Sequence, residues 1–154
     1  MKMDVVVRPA RPSDAERFTA LARAAKASWK YDESWMALWH DQLLVTPEYI
    51  TENEAVAAEI DGVIVGCAAL EDHGEDFMME HVWIEPAYQG RGIGRALVQH
   101  LVASARKKGR EVRLLSDPHA EPFYTRLGAK KMSEVPAPMP GAPGRTLPLM
   151  KFSR

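Results

Sequence analysis

Residues Ile84-Glu85-Pro86-Ala87-Tyr88-Gln89-Gly90-Arg91-Gly92-Ile93-Gly94-Arg95 join a β-type run, ended by proline, to a helical run that begins among glycines. Three glycines at alternate positions let the backbone approach a ligand without interference from Cβ atoms. The open N–H groups and dipole of a helix start favour an anion, and Arg91 and Arg95 add positive charge. The junction therefore reads as a phosphate or pyrophosphate cradle; the plainer reading is a glycine-rich turn that only reverses the chain. Two phosphate-binding patterns are excluded. No Gly-Lys-Ser/Thr follows the glycines, and Arg95 stands where a dinucleotide fingerprint needs its third glycine.

The segments around this junction alternate between two periods. Val5-Val6-Val7 reads as a first strand that Pro9 ends, and Ser13 with Glu16 reads as a capping box opening a helix over 14–27. Trp35, Leu38, Trp39 and Leu43 carry helical spacing over 33–44, and Thr46-Pro47 opens a further short helix. Ala55–Ile60 and Val63–Leu70 are strands joined by Asp61-Gly62, a two-residue hairpin signal. Gly66 inside the second run marks a bulge or a close backbone neighbour. Phe77–Ile84 forms a third strand of this group. Ile93, Leu97, Leu101 and Ala105 place a helix over 93–108, with Arg106, Lys107 and Lys108 in the last turn and Gly109 as the stop. Val112–Leu115 is a strand, Pro118–Leu127 a helix closed by Gly128, and Lys130–Val135 and Leu147–Phe152 are the last strands. The proline-rich residues 136–144 form the loop between them, although such a loop could also reach a protein partner. This order predicts one α/β (α+β) domain over 1–154, with a mixed sheet of about seven strands flanked by helices.

Composition narrows the function classes. Twenty basic and 21 acidic side chains leave a formal charge of −1, which gives no global attraction to nucleic acid or an anionic membrane. The apolar stretch at the N-terminus, three valines, is too short for a signal peptide or a membrane span, so a cytoplasmic protein is expected. Cys67 is the one cysteine, which rules out an intramolecular disulfide and a thiolate metal cage. The histidines His40, His73, His100 and His119 lack metal-binding spacing, and no metal is expected.

The junction resembles motif A of the GNAT superfamily of acetyl-CoA-dependent N-acetyltransferases, whose pattern is Gln/Arg-x-x-Gly-x-Gly/Ala. A second segment, from Asp117-Pro118-His119-Ala120 through Phe123-Tyr124 to Gly128, is similar to the family's Asn-x-x-Ala-x-x-Phe-Tyr-x-x-x-Gly. The two lie in the family's order, and the element order matches over nearly the whole chain. Two departures stand out: Asp117 where the family often has asparagine, and Ala129 where phenylalanine is common.

The resemblance implies acetyl-CoA as co-substrate and an amine acceptor, with neither nucleic acid nor membrane as partner; a homodimer stays open. It implies a pyrophosphate held by the amides of Gly90, Arg91, Gly92, Ile93, Gly94 and Arg95, with Gln89 also at the cofactor. It also implies a pantetheine arm laid along Val82, Trp83 and Ile84 where two strands splay, with Asp117 and Tyr124 beside it. Tyr124 is the expected general acid for the leaving thiolate; the alternative is a packed aromatic. A primary amine has a pKa of about 10.4 and must lose a proton before attack; Glu80, directly or through water, is the expected base, with His81 as the alternative. Strand alternation puts Glu80 on one face with Val82 and Ile84 and sends His81 to the other. Trp29, Tyr31, Trp35 and Trp39 are expected mainly as core, with Glu33 or Asp41 as candidates for a cationic acceptor. The competing reading is a non-catalytic acyl-CoA-binding regulatory module.

Overall fold

The computed structural model describes residues 4–154, so the first three residues of the N-terminal reading lie outside it. Seven strands, β1 (Val6–Pro9), β2 (Glu54–Ile60), β3 (Val63–Asp72), β4 (Phe77–Ile84), β5 (Val112–Leu115), β6 (Lys130–Pro136) and β7 (Thr146–Phe152), form one sheet in the order β1-β2-β3-β4-β5-β7-β6. Only β4 and β5 run parallel, so the sheet is mixed, as the element order predicts. Pro9 lies within β1 rather than after it, which an edge strand tolerates because the missing N–H costs no ladder bond there. At the β2–β3 hairpin Asp61 (φ 51°) and Gly62 (φ 78°) both take positive φ, the geometry that a primed turn requires.

Helices cover both faces. Helix α4 (Ile93–Lys107) lies on one, burying Ile93, Leu97, Val98, Leu101 and Val102 against Val56, Val65, Leu70 and Phe77. Each such side chain contributes at most about 1.5–3 kcal/mol. Gly66 permits this closeness. A Cβ there would stand 3.0 Å from the Ile84 Cδ1 and 3.1 Å from the Ile93 Cγ2 and Leu97 Cδ1. A β-bulge lies beside it, since Ala58 pairs with Gly66 but Glu59 with Ile64, so Gly66 meets both expectations.

The opposite face carries α1 (Ala15–Ala27) and α3 (Pro47–Glu52), whose Phe18, Leu21 and Ile50 pack on Ala57, Cys67 and Ala69. The Thr46 hydroxyl caps α3 by accepting from the Tyr49 amide. The expected Ser13/Glu16 box is replaced. A 3-10 turn over Pro12–Asp14 precedes α1, and the Asp14 carboxylate accepts from the Arg11 amide and pairs with Arg8. Helix α2 (Glu33–Trp39) is shorter than the 33–44 periodicity predicts. It stops at His40, leaving Leu38 exposed while Leu43 is buried from the following turn. The second predicted helix of the C-terminal half opens as a 3-10 turn (Pro118–Ala120) before α5 (Glu121–Arg126). Among the described residues, no helix is long and apolar enough to cross a membrane.

Candidate active site

The parallel pair β4–β5 is registered at Phe77–Val112 and Met78–Arg113 and no further. Beyond Met78 the two strands diverge, while β4 stays paired with β3 up to Ile84. Among the described residues, the β5-facing edge of β4 from Met79 to Ile84 is thus without a strand partner. That edge opens a cleft of about 1000 Å³, lined at the Gly90–Arg95 junction and also by Ala25 and Lys26 of α1, Trp29 just after it and Trp39 of α2.

At the junction end, Gly90 (φ 78°) and Gly92 (φ 82°) occupy the left-handed region, which a side chain would strain. Among the described residues, the amides of Gly92, Ile93, Gly94 and Arg95 donate to no backbone acceptor; the first helical bond is from Ala96 to the Gly92 carbonyl, 3.1 Å. Four N–H groups at a helix start can therefore take an anion. Gly94 is a packing glycine, since a Cβ there would lie 3.1 Å from the Phe123 ring. The Arg91 guanidinium stands 5.2 Å from the centre of the Tyr88 ring. Gln89, Gly90, Gly92, Ile93, Gly94 and Arg95 line the cleft, as do Val82, Trp83 and Ile84.

Tyr124 lies on α5 with 8% of its surface accessible, its ring edge-on to Phe123 at 5.0 Å. Its hydroxyl has no hydrogen-bond partner among the described residues, and Tyr124 lines the cleft. Burial, with the Asp117 charge, pushes its pKa upward, so the hydroxyl stays protonated at neutral pH.

Glu80 and His81 depart from simple alternation. Leu70 pairs with Met79 and Ala69 with His81, so Glu80 is the extra residue of a β-bulge. The bulge inverts the faces. Val82 and Ile84 join Phe77 and Met79 on the α4 side, while Trp83 packs on the α1 side. Glu80 therefore does not share the face of Val82 and Ile84; it lines the cleft from the bulge. Desolvation and the nearby Glu71 charge push its carboxyl above the ordinary value, with His73 opposing, even though part of the side chain reaches solvent. His81 is buried, and its Nδ1 accepts from the Trp83 Nε1 at 2.8 Å. The neutral ring accordingly holds its proton on Nε2, and burial lowers its pKa, so His81 has no lone pair to offer a substrate.

Asp117 is not an open contact for a ligand arm. Its Oδ2 accepts from the Lys26 Nζ and the Tyr31 hydroxyl, both at 2.8 Å, and its Oδ1 bonds the His119 amide and ring. Burial opposes its ionisation, but the hydrogen bond from Lys26 and those from His119 prevail and hold the carboxyl below its usual range. The substitution of aspartate for asparagine thus has a local partner in Lys26, which sequence reasoning missed. Its signal was a lysine inside the apolar stripe of α1, one residue after Ala25. Lys26 also lies 4.2 Å from the Trp39 ring centre. Trp39 is buried as expected, whereas Trp29 and Trp35 are half-exposed and Trp29 lines the cleft. Glu33 and Asp41 are exposed and line no part of it. Arg145, which sequence reasoning also missed, lines the cleft from the loop before β7, where no periodicity announces it. Loop 137–145 folds back on α2, with the Trp35 Nε1 donating to the Pro140 carbonyl at 2.9 Å.

Comparison with known proteins matches residues 51–128 to the acetyltransferase (GNAT) domain family. Among curated relatives, an L-methionine sulfoximine/L-methionine sulfone acetyltransferase of Salmonella typhimurium is 33% identical over 89 residues, 49% of this chain and 52% of that protein. The N-alpha-acetyltransferase RimI of Mycobacterium tuberculosis is 33% identical over 79 residues, 49% of this chain and 48% of that protein. The chain thus spans about half the length of these relatives. Among solved structures, the PaiA N-acetyltransferase of Thermoplasma acidophilum in complex with coenzyme A aligns over 99% of this chain and 100% of its own. The TM-score is 0.78 at 19% identity, a likeness of fold.

Proposed function

The chain belongs to the GNAT acetyltransferase family, and from that premise we propose that it transfers the acetyl group of acetyl-CoA to a primary amine. The acceptor class comprises small molecules, peptide N-termini and lysines. The observation that carries the reading is the coincidence of two features in one cleft: the open amides at the start of α4 and the unpaired edge of β4. The first suits a pyrophosphate and the second an extended arm bearing amide groups, which together are the chemistry of CoA.

In this reading the amides of Gly90 to Arg95, with Arg91 and Arg95, hold the pyrophosphate. The backbone of Val82, Trp83 and Ile84 pairs with the arm, and Gln89 flanks it. Glu80 takes the proton that the ammonium must lose, aided by a carboxyl pKa raised above its ordinary value by desolvation and Glu71. As the nitrogen bonds to the acetyl carbon and the carbon–sulfur bond breaks, Tyr124 delivers its proton to the departing sulfur, and the nitrogen sheds its remaining surplus proton, which restores the tyrosine hydroxyl. The Tyr124 hydroxyl, protonated and without a partner, favours an enzyme over a non-catalytic acyl-CoA-binding module. Asp117 acts through structure, fixing the turn that opens α5 and with it Tyr124. The buried Cys67 suits a reducing cytoplasmic compartment, and the exposed edge strand β6 offers a face for a homodimer.

The test is a thermal-shift titration with acetyl-CoA followed by CoA release over an amine panel. Acetyl-CoA at a hundred times its Kd should stabilise the fold by about 2.7 kcal/mol. No shift would defeat both CoA-binding readings, and a shift without CoA release from any amine would favour the non-catalytic module.

A further inference from the structure

The far end of the cleft carries a surplus of positive charge. Lys26 is matched by Asp117 at 2.8 Å. Arg145 has no carboxylate partner among the described residues. One of its N–H groups, on Nη1, donates to the Ala137 carbonyl at 3.2 Å. Its guanidinium carbon stands 5.5 Å from the Trp35 ring centre and 5.4 Å from that of Trp39, so two indoles hold it. The guanidinium also reaches the Tyr31 hydroxyl, which itself donates to Asp117, and none of its N–H groups is buried without a partner among the described residues. The acids lining the cleft are Glu80 and Asp117, and Asp117 is already engaged by Lys26.

This arrangement is unsuited to an acceptor that carries only an amine. Such a molecule arrives as a cation, and an arginine with no carboxylate partner beside Lys26 would repel it. An acceptor with its own anionic group would reverse that sign. The planar fork of a guanidinium fits a carboxylate through two parallel hydrogen bonds, which a spherical ammonium does not match. The cleft lining also includes Trp39, Leu43 and Leu147, apolar surface for a side chain.

We propose that the acceptor is a free amino acid with an apolar side chain, its α-carboxylate bound by Arg145 and its α-amine presented to the acetyl group. The inference rests on the acetyl-transfer reading above and deepens it. A peptide N-terminus has no α-carboxylate at that distance from its amine, so the proposal selects free amino acids from the acceptor class.

The experiment compares three matched acceptors, L-phenylalanine, L-phenylalaninamide and 2-phenylethylamine, with the corresponding leucine series, by CoA release. kcat/KM should be at least tenfold higher for the free acid than for the amide or the amine. Arg145→Met should bring the three to within about threefold of one another, and Arg145→Lys should keep part of the preference. The ratio is taken within one preparation, so it does not depend on how much of a variant folds. Equal use of the three acceptors by the wild type, or a preference that survives in Arg145→Met, overturns the proposal. A second readout needs no turnover: intrinsic tryptophan fluorescence, to which Trp35 and Trp39 contribute, during titration with N-acetyl-L-phenylalanine and with N-acetyl-2-phenylethylamine. Saturable binding of the acid alone, lost in Arg145→Met, upholds the carboxylate site even if no CoA is released, which would defeat only acetyl transfer. Absence of that binding overturns the site while leaving any measured acetyl transfer intact.

Discussion

In the proposed reaction Tyr124 and Glu80 have opposite tasks, and their surroundings bias both carboxyl and hydroxyl toward the protonated form. Burial keeps the Tyr124 hydroxyl protonated, whereas Glu80 must be ionised to accept a proton despite a raised pKa. Tyr124→Phe should lower kcat at least tenfold and leave the acetyl-CoA Kd unchanged, because the ring packing on Phe123 is retained. Stopped-flow binding beside steady-state kinetics checks this, and a full kcat in the variant would remove the acid role. Glu80 should produce an acidic limb in the pH–rate profile, with its midpoint above the ordinary glutamate value, since activity requires the carboxylate. Glu80→Gln should lose that limb along with most of the rate. A limb unchanged in the variant would assign it to another group.

At the scale of elements, the cleft depends on how closely α4, α5 and the sheet approach one another. Gly94 faces Phe123 across the α4–α5 contact, and that ring lines the cleft. Gly94→Ala should push Phe123 aside and weaken acetyl-CoA binding several-fold in isothermal titration, while Gly92→Ala, at a positive φ, should cost about 1–2 kcal/mol of backbone strain. The elements themselves were largely legible: β4, β5 and α4 fall within a residue of the ranges that periodicity predicts. The α2 region was not. Trp35, Leu38, Trp39 and Leu43 keep helical spacing, but spacing does not reveal that the chain turns at His40 to bring Leu43 under α1. The bulge at Glu80 was equally hidden. It depends on the register of β3 against β4, and one extra residue reverses the faces of those that follow.

At the scale of the whole molecule, the Lys26–Asp117 pair ties the N-terminal helix to the turn that opens α5. The two side chains are only 13% and 7% exposed, so removing one partner leaves a charge with little water to replace it. Lys26→Met should destabilise the fold by about 3 kcal/mol, read as a lower urea midpoint. His81 should make stability depend on pH. Its folded-state pKa is lowered, so the unfolded chain binds the proton more readily. The stability it contributes is whole above its unfolded value of about 6.5 and is lost as pH falls from there through the lower folded-state value. Melting temperatures from pH 8 to 5 should fall accordingly, and His81→Phe should flatten that dependence.

By itself the sequence determined the strand–glycine–helix junction, the order of the elements and the family, because those features are local: period, turn chemistry and spacing along one stretch of chain. It also pointed to Tyr124 as a candidate, since its motif is contiguous with α5. What only the tertiary structure decided lies across the chain. Asp117 meets Lys26 from 91 residues away, and Arg145 meets Trp35 and Trp39 from about a hundred. The splay of β4 from β5 is likewise a matter of pairing that stops after two residues. Charges buried far apart in sequence acquire partners only when the sheet and helices bring them together, and that assembly is what makes one end of the cleft fit for a pyrophosphate and the other electropositive.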